Sequence, residues 1–319
     1  MEDVVVKGVR KKTVQKKSVL KLISRDKYLL LFLLPVVVHL FIFSYLPILG
    51  ISVAFRDYRI GDPFLAWGSD AKWVGLKHFI EFVNSMYFVR ILRNTFFLSA
   101  LFLIFGFWVP IVFSIFLNEI RHSLYKKVIQ TMTFMPHFIS TVVIVGIVVN
   151  FVSIDGIVNS IIQLFGGNRE QLLNNPQYFR VIFIVSTIWQ TFGWGSLLYL
   201  AAIAGIDPGQ YESARMDGAN RWKQAIHITL PGITPTIVIL LLFTVGRILS
   251  TDTDKVLLMY NPSIYETADV IGTYTYRTGL LEGSFSYASA IGFFSAVVNF
   301  ILLIFANSIS RRYTEYGLW

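Results

Sequence analysis

The sequence predicts an all-α integral membrane protein with six transmembrane helices and an elbow of two short helices between the fourth and the fifth. Three observations predict this fold. The 319 residues are 55% hydrophobic and 15% charged, with a mean hydropathy of +0.61, whereas soluble domains carry roughly 25% charged residues. Six apolar runs are long enough to cross a bilayer, which takes about 20 residues. A polar hairpin separates the fourth run from the fifth.

The first apolar run extends from Tyr28 to Phe55 and follows a basic segment. A cleaved signal peptide has a shorter apolar core and a small-residue cleavage site, so an uncleaved transmembrane helix fits better. Pro35 and Pro47 are expected to kink or bound this helix. The other predicted spans cover residues 95–117, 131–152, 181–204, 233–250 and 287–310.

The net charge of +9 falls on one side of these six helices. That side comprises the basic tail 1–27, the loop 118–130, the polar hairpin and the C-terminal tail. Cytoplasmic loops carry an excess of Lys and Arg, so we expect both termini in the cytoplasm. The transmembrane domain is then 28–311, and the C-terminal tail is 312–319. This topology explains the positive charge without a nucleic-acid partner.

The polar hairpin at 207–231 begins with a helix start signal. Asp207 can cap a helix, and Pro208 suits its first position. A short helix is therefore expected over roughly 208–216. Gly218 follows it and can adopt the left-handed or sharply turned backbone that a bend requires.

A second short helix is predicted after the bend, with Asn220 as its cap. Trp222, Ile226 and Leu230 form one apolar stripe at i, i+4 and i+8. Pro231 is expected to end this helix before the fifth span begins. From these residues alone, the hairpin is either a passive connector or an elbow against which a partner protein docks closely.

The hairpin resembles the coupling motif of permease subunits in bacterial binding-protein-dependent ABC sugar importers. That motif has E-A-A, three residues, G, nine residues, I, one residue and L-P. The positions that match are Glu212, Ser213, Ala214, Gly218, Ile228, Leu230 and Pro231, with Ser213 as a small replacement for alanine. The segments YNPSIYETADVIGTYTYR and FSYASAIG and the ending GLW are similar to the subgroup for complex oligosaccharides, including uronate-containing ones.

The resemblance implies the type I permease fold of ABC importers, in the cell membrane of a bacterium. The implied partners are a second homologous permease, two ATPase subunits, an extracellular solute-binding protein, an oligosaccharide substrate and membrane lipid. ATP and Mg would bind the ATPase, because this chain has no G-x-x-x-x-G-K-[ST] phosphate loop. The chain itself is expected to hold no cofactor.

In such importers the elbow lies in a groove on the ATPase, where the glutamate of its first helix meets basic residues. The resemblance therefore gives this chain a set of ATPase-coupling residues. They are Glu212, Ser213, Ala214, Asp217, Gly218, Ala219, Ile228, Leu230 and Pro231.

Candidate substrate-path residues lie on the fourth span. Trp189 and Trp194 could stack on sugar faces, and Gln190 could bind hydroxyl groups. Ordinary packing or contact with lipid is the alternative for these aromatic residues. Gly193 and Gly195 are expected to serve close helix packing.

Arg247 lies near the outer end of the fifth span, where an ionisable residue is costly and hence a functional candidate. It could meet an acidic sugar, pair with Asp252 or Asp254, or extend to the membrane interface. Arg247 and Asp252 therefore join Trp189, Gln190 and Trp194 as the candidate substrate-path residues.

Neither a catalytic site nor a metal site is expected. The chain has no cysteine, shows no metal-ligand spacing or Ser/His/Asp set, and places His39 and His137 singly in apolar runs, which favours structural roles. An ion-coupled secondary sugar carrier is the alternative function, but such carriers need carboxylates within their spans, and these spans hold almost none. A membrane enzyme would need acidic or metal-binding clusters at the interface. Dependence of uptake on ATP distinguishes the importer from the carrier.

Overall fold

The structure is a computed structural model that describes residues 27–63 and 72–319. Its described secondary structure is helical, and it contains six helices long and apolar enough to cross a membrane. We number them as spans in chain order: Lys27–Phe55, Phe88–Asn118, Thr141–Leu164, Pro176–Ala204, Arg221–Val245 and Phe285–Thr314. The predicted all-α class with six spans is confirmed, while residues 1–26 of the predicted basic tail lie outside the described residues.

The chain divides into two compact units, residues 1–52 and 53–319. The described part of the first unit consists of apolar helix. An α-helix over Lys27–Leu40 contains Pro35, passes into a π turn over Phe41–Tyr45 and continues as a 3₁₀ helix from Leu46. The change of helix type directly precedes Pro47, whose missing N–H cannot continue an α-helical ladder.

The third apolar run differs from its prediction. The expected continuous helix over 131–152 is wrong, because one helix ends at Phe138 and the next begins at Thr141. Ile139 and Ser140 are extended, and the Ser140 hydroxyl caps the second helix at the N–H of Val143. Apolar composition alone does not reveal such a break, because Ile139 is itself apolar and lies between two helices that both carry many apolar residues.

The junction between the hairpin and the fifth span also differs. Pro231 does not end the second short helix, because the helix beginning at Arg221 continues to Val245. A π turn over Ala225–Thr229 shifts the hydrogen-bond register immediately before the proline, so that the missing N–H falls at the start of the next α-helical segment.

The fourth span is the central helix of the second unit and packs most closely at its glycines. A Cβ atom on Gly193 would lie 2.1 Å from the carbonyl oxygen of Thr133, and one on Gly195 would lie 3.2 Å from Pro110. Both glycines therefore serve close helix packing, as predicted. Outside the spans, short helices over Lys77–Val83, Thr253–Met259 and Ile271–Tyr276 fold among the span ends.

Reporter fusions test the orientation expected from the charge distribution. Fusions after residue 27, within 118–130 and near residue 220 should give cytoplasmic signals, because these segments carry the positive charge. Fusions near residues 75, 165 and 270 should give external signals. A cytoplasmic signal at residue 270 would contradict the six-span topology.

Candidate functional site

A cavity of about 660 Å³ lies among the second, fourth and fifth spans and the turn that follows the fifth. Its serine and threonine hydroxyl groups come from Ser99, Thr187, Thr191, Thr244, Ser250 and Thr251. The three threonines on the spans each donate to a carbonyl of their own helix. Their oxygens remain able to accept hydrogen bonds, so the wall can bind a hydroxylated ligand.

One wall of the cavity carries a stacked pair of rings. Trp194 stacks on His137 with ring centroids 4.8 Å apart and planes 4° from parallel. Phe138 meets Trp194 edge-on at 5.5 Å. The expectation that His137 has only an isolated structural role misses this pair, because the two rings come from helices far apart in the sequence. The flat face of Trp194 suits the apolar face of a sugar ring.

The polar end of the cavity holds Arg247 and Asp252, as the candidate substrate path predicts. The fifth span ends at Val245, and Arg247 belongs to the turn after it. Across residues 27–63 and 72–319, Arg247 forms no ion pair, so the suggested pairs with Asp252 or Asp254 are absent there. The Asp252 carboxylate instead caps the helix Thr253–Met259.

Trp189 and Gln190 do not line this cavity. Trp189 lines a separate, apolar cavity of about 460 Å³ between the third and fourth spans. Gln190 is buried, and its Oε1 accepts a hydrogen bond from Lys255 Nζ at 3.1 Å. The predicted path therefore separates into Trp194, Arg247 and Asp252 at the cavity and two residues that face elsewhere.

Lys255 is a buried cation that sequence analysis missed. Its side chain is 0% exposed, in the short helix Thr253–Met259. Burial lowers the pKa of Lys255 to about 8, against a smaller opposing effect of Asp252. In the sequence TDTDK this lysine has two acidic neighbours and resembles a solvated loop residue, so no local signal marks it.

A buried carboxylate with two arginines lies at the N-terminal end of the second span. Asp269 is fully buried and accepts from Arg90 at 3.0 Å and from Arg277 at 2.9 Å. Burial is the largest single effect and opposes the charged form of Arg277, but the hydrogen bonds and charge of Asp269, with smaller effects of Tyr265 and Tyr260, together raise the pKa of Arg277. Asn94 binds the backbone oxygen of Asp269 as well, so this cluster joins the second span to the loop before the sixth.

The first hairpin helix spans Pro208–Met216, and the Asp207 carboxylate caps it at the N–H of Gly209. Its end is a Schellman motif, in which Ala219 N–H donates to Ala214 O at 2.8 Å and Gly218 N–H donates to Arg215 O at 3.1 Å. Gly218 has a φ of 76°. A Cβ there would meet nothing within 4 Å, so the glycine is required by its backbone angle and not by crowding.

The second hairpin helix begins at a side-chain cap and is bridged to the first by a pair of hydroxyl groups. Asn220 Oδ1 accepts from Lys223 N–H at 2.9 Å, and the Tyr211 hydroxyl lies 3.0 Å from Thr229 Oγ1. Arg221 also pairs with Glu119 at 3.5 Å, directly after the second span. These contacts fix the angle of the elbow against the spans.

Most of the predicted coupling residues face outward. Glu212, Ser213, Asp217, Gly218, Leu230 and Pro231 are exposed, and Ala214, Ala219 and Ile228 are half-buried. Two large apolar side chains beside them, Met216 and Trp222, are 83% and 65% exposed. A partly apolar surface of this kind at a hairpin tip is suited to contact with another protein.

Comparisons with known proteins identify the family. The family model for the binding-protein-dependent transport system inner membrane component matches residues 111–315. The chain belongs to this family. The family expected from the coupling motif is thereby confirmed. The chain is a transport permease with several membrane spans, and this family membership replaces the two alternatives, an ion-coupled carrier and a membrane enzyme.

Relatives and solved structures resemble the permease over nearly its whole length. It is 42% identical over 311 residues to the polygalacturonan/rhamnogalacturonan transport system permease protein YteP of Bacillus subtilis (strain 168), covering 97% of this chain and 95% of that protein. Protein LplB of the same strain is 40% identical over 299 residues, or 93% and 92% of the two chains.

Among solved structures, a chain of a bacterial ABC transporter that imports the acidic polysaccharide alginate is 42% identical. It has a TM-score of 0.83, and the match covers 92% of this permease and 99% of that chain. A second structure, of the bacterial alginate ABC transporter with an alginate pentasaccharide-bound periplasmic protein, gives 42% identity, a TM-score of 0.84 and coverage of 94% and 99%.

Substitution of Asp269 by Asn tests the buried cluster in the permease. The change leaves two arginines facing a neutral amide, and we expect a loss of about 3 kcal/mol of stability, near the lower limit for a broken buried pair because both arginines are partly exposed. Thermal unfolding of the purified complex measures the loss. Glu266→Gln is the matched control, an exposed acid in the same loop, and should change stability by about 0.5 kcal/mol or less. Equal effects of the two variants would contradict a structural role for the cluster.

Proposed function

We propose that this permease is one of two homologous transmembrane subunits of an ATP-driven importer, and that it forms half of the path for an acidic oligosaccharide. The unpaired Arg247 at the cavity carries this proposal. A guanidinium with no carboxylate partner in the described chain is available to bind one from a ligand, in a fork that matches carboxylate geometry.

The remainder of the cavity suits a sugar. Trp194 offers an aromatic face beside a row of threonine and serine oxygens. Such a wall can bind hydroxyl groups without covalent chemistry, so the permease would pass its substrate on unchanged. The names of the relatives support an acidic substrate, since they include transporters of polygalacturonan and alginate.

The exposed elbow supports a motor on separate chains. We propose that two ATPase subunits dock there and hold the ATP and Mg, and that an extracellular solute-binding protein delivers the oligosaccharide from the opposite side. In this arrangement both termini and the elbow are cytoplasmic. Differential binding of ATP by the motor then shifts the permease between its outward and inward states.

Replacement of Arg247 by Gln tests the acidic substrate. Uptake of tri-galacturonate into proteoliposomes should weaken roughly ten-fold, because a charge-assisted hydrogen bond is lost. The methyl ester of the same trisaccharide should be transported as before. Arg93→Gln is the control, since Arg93 is an exposed arginine that does not line the cavity. Equal losses for the acid and the ester would contradict a carboxylate-binding role.

Two substitutions in the elbow test the coupling role. Gly218→Val places a β-branched residue at a φ of 76°, a strain of about 1–2 kcal/mol, and Glu212→Lys reverses a charge expected to meet basic residues. Both variants should insert in the membrane, because neither alters a span. Both should bind the ATPase poorly or fail to link hydrolysis to uptake, as measured by pull-down and by substrate-stimulated hydrolysis.

Matched variants separate coupling from misfolding. Gly218→Asn should retain coupling, because asparagine tolerates the left-handed backbone. Gly209→Ala lies in the same helix at an ordinary φ and should also be active. If both Gly218→Val and Glu212→Lys bound the ATPase normally and showed normal substrate-stimulated hydrolysis, the hairpin would be a passive connector.

A further inference from the structure

Lys255 is separated from solvent on every side. Its side chain is 0% exposed, and its Nζ donates to Gln190 Oε1 at 3.1 Å and lies 5.9 Å from the centre of the Phe183 ring. Within the described part of the chain, no Asp or Glu lies within ion-pair distance of this Nζ. The lysine is therefore buried among neutral partners.

Stability does not account for this arrangement. A buried cation without a counter-ion is costly, and a methionine of similar length would fill the same space at lower cost. Asp269 provides a contrast in the same protein, since it is equally buried but lies between two arginines. The fold compensates one buried charge and leaves the other uncompensated.

Lys255 lies close behind the wall of the polar cavity. Its partner Gln190 is on the fourth span between Thr187 and Thr191, which both line the cavity. Asp252, also in the lining, accepts from the backbone N–H of Lys255 at 3.3 Å. A charge in such a position acts across protein and not across water, so its field is poorly screened.

The charges at this end of the cavity favour an anion. Arg247 and Lys255 are both without an ion-pair partner in the described residues. Asp252 is exposed, and Asp254 is exposed and does not line the cavity. Water screens both carboxylates more effectively than it screens the buried lysine.

We propose that Lys255 is a specificity-determining residue, whose buried charge behind the cavity wall favours anionic over neutral oligosaccharides. This inference rests on the proposed function and adds to Arg247 a second positive charge, one that acts without touching the substrate. A unit charge about 10 Å away, at an effective dielectric constant of about 20, changes affinity roughly ten-fold.

Lys255→Met tests this role in the complete complex with its partner subunits, purified into nanodiscs. Calorimetry measures the binding of tri-galacturonate and of its methyl ester, which differ in charge and share one skeleton. In the variant, the Kd for the acid should rise roughly ten-fold, and the Kd for the ester should not change. The Tm should stay the same or rise, because an uncompensated buried charge has been removed.

The pH dependence of the preference for the acid over the ester distinguishes an electrostatic role of Lys255 from a purely structural one. With a pKa of about 8, Lys255 loses its charge as the pH rises from 7 to 9, so the preference of the unmodified protein for the acid should fall over that range. Lys255→Met should show a lower preference that is flat with pH. Lys255→Arg should keep the preference and lose its pH dependence, because a guanidinium stays charged.

Few ionisable groups other than Lys255 itself lie on the elements packed against it, so few others could produce this pH dependence. Asp252 is the charged group whose field acts on it. The adjacent helix Thr141–Val152 has no ionisable side chain, and the helix Ile271–Tyr276 carries Tyr274 and Tyr276. The fourth span, whose Gln190 and Phe183 contact the lysine, carries Tyr178, Tyr199 and the permanently charged Arg180.

The remaining outcomes separate this inference from the proposed function. If Lys255→Met weakened the binding of acid and ester equally, or left the preference for the acid unchanged, the role of Lys255 would be overturned. The proposal of an acidic substrate would still stand. If the unmodified complex bound acid and ester equally, or bound neither, the acidic-substrate proposal and this inference would both be overturned.

Discussion

A membrane interior offers no water to backbone N–H and C=O groups, so a spanning helix must satisfy its own hydrogen bonds wherever it is interrupted. This constraint explains the placement of three π turns, over Phe41–Tyr45, Phe102–Gly106 and Ala225–Thr229. Each turn is followed within four residues by a proline, namely Pro47, Pro110 and Pro231. The wider turn shifts the ladder so that the chain absorbs the missing donor without a break.

Low-dielectric surroundings also govern two fully buried charges, Asp269 and Lys255. Asp269 is stable because two arginines neutralise it and join the second span to the loop before the sixth. The ammonium of Lys255 contacts a glutamine oxygen and an aromatic ring, with no carboxylate beside it in the described part of the chain. One charge thus holds structure together, while the other leaves a positive potential beside a cavity that already carries Arg247.

Local features were predictable from the sequence, and long-range features were not. The caps at Asp207 and Asn220 and the turn at Gly218 depend on bonds between near neighbours, so residue type and spacing suffice to predict them. The break at Ile139 and the continuation through Pro231 depend on how helix segments pack and re-register. The stack of His137 on Trp194 and the bond of Gln190 to Lys255 each join distant segments, and a single sequence carries no record of those pairings.

The elbow is constructed almost wholly from contacts within itself. Its two caps, its Schellman turn and the Tyr211–Thr229 bridge all lie between Asp207 and Thr229. Its internal shape is therefore modular: a short cassette encodes it, while the Arg221–Glu119 pair sets its angle against the spans. The surface of such a cassette can diverge residue by residue while its backbone stays the same. With the motor docked at this surface, as we propose, exchange of a few outward-facing side chains would change which motor a permease accepts and leave its own fold unaltered.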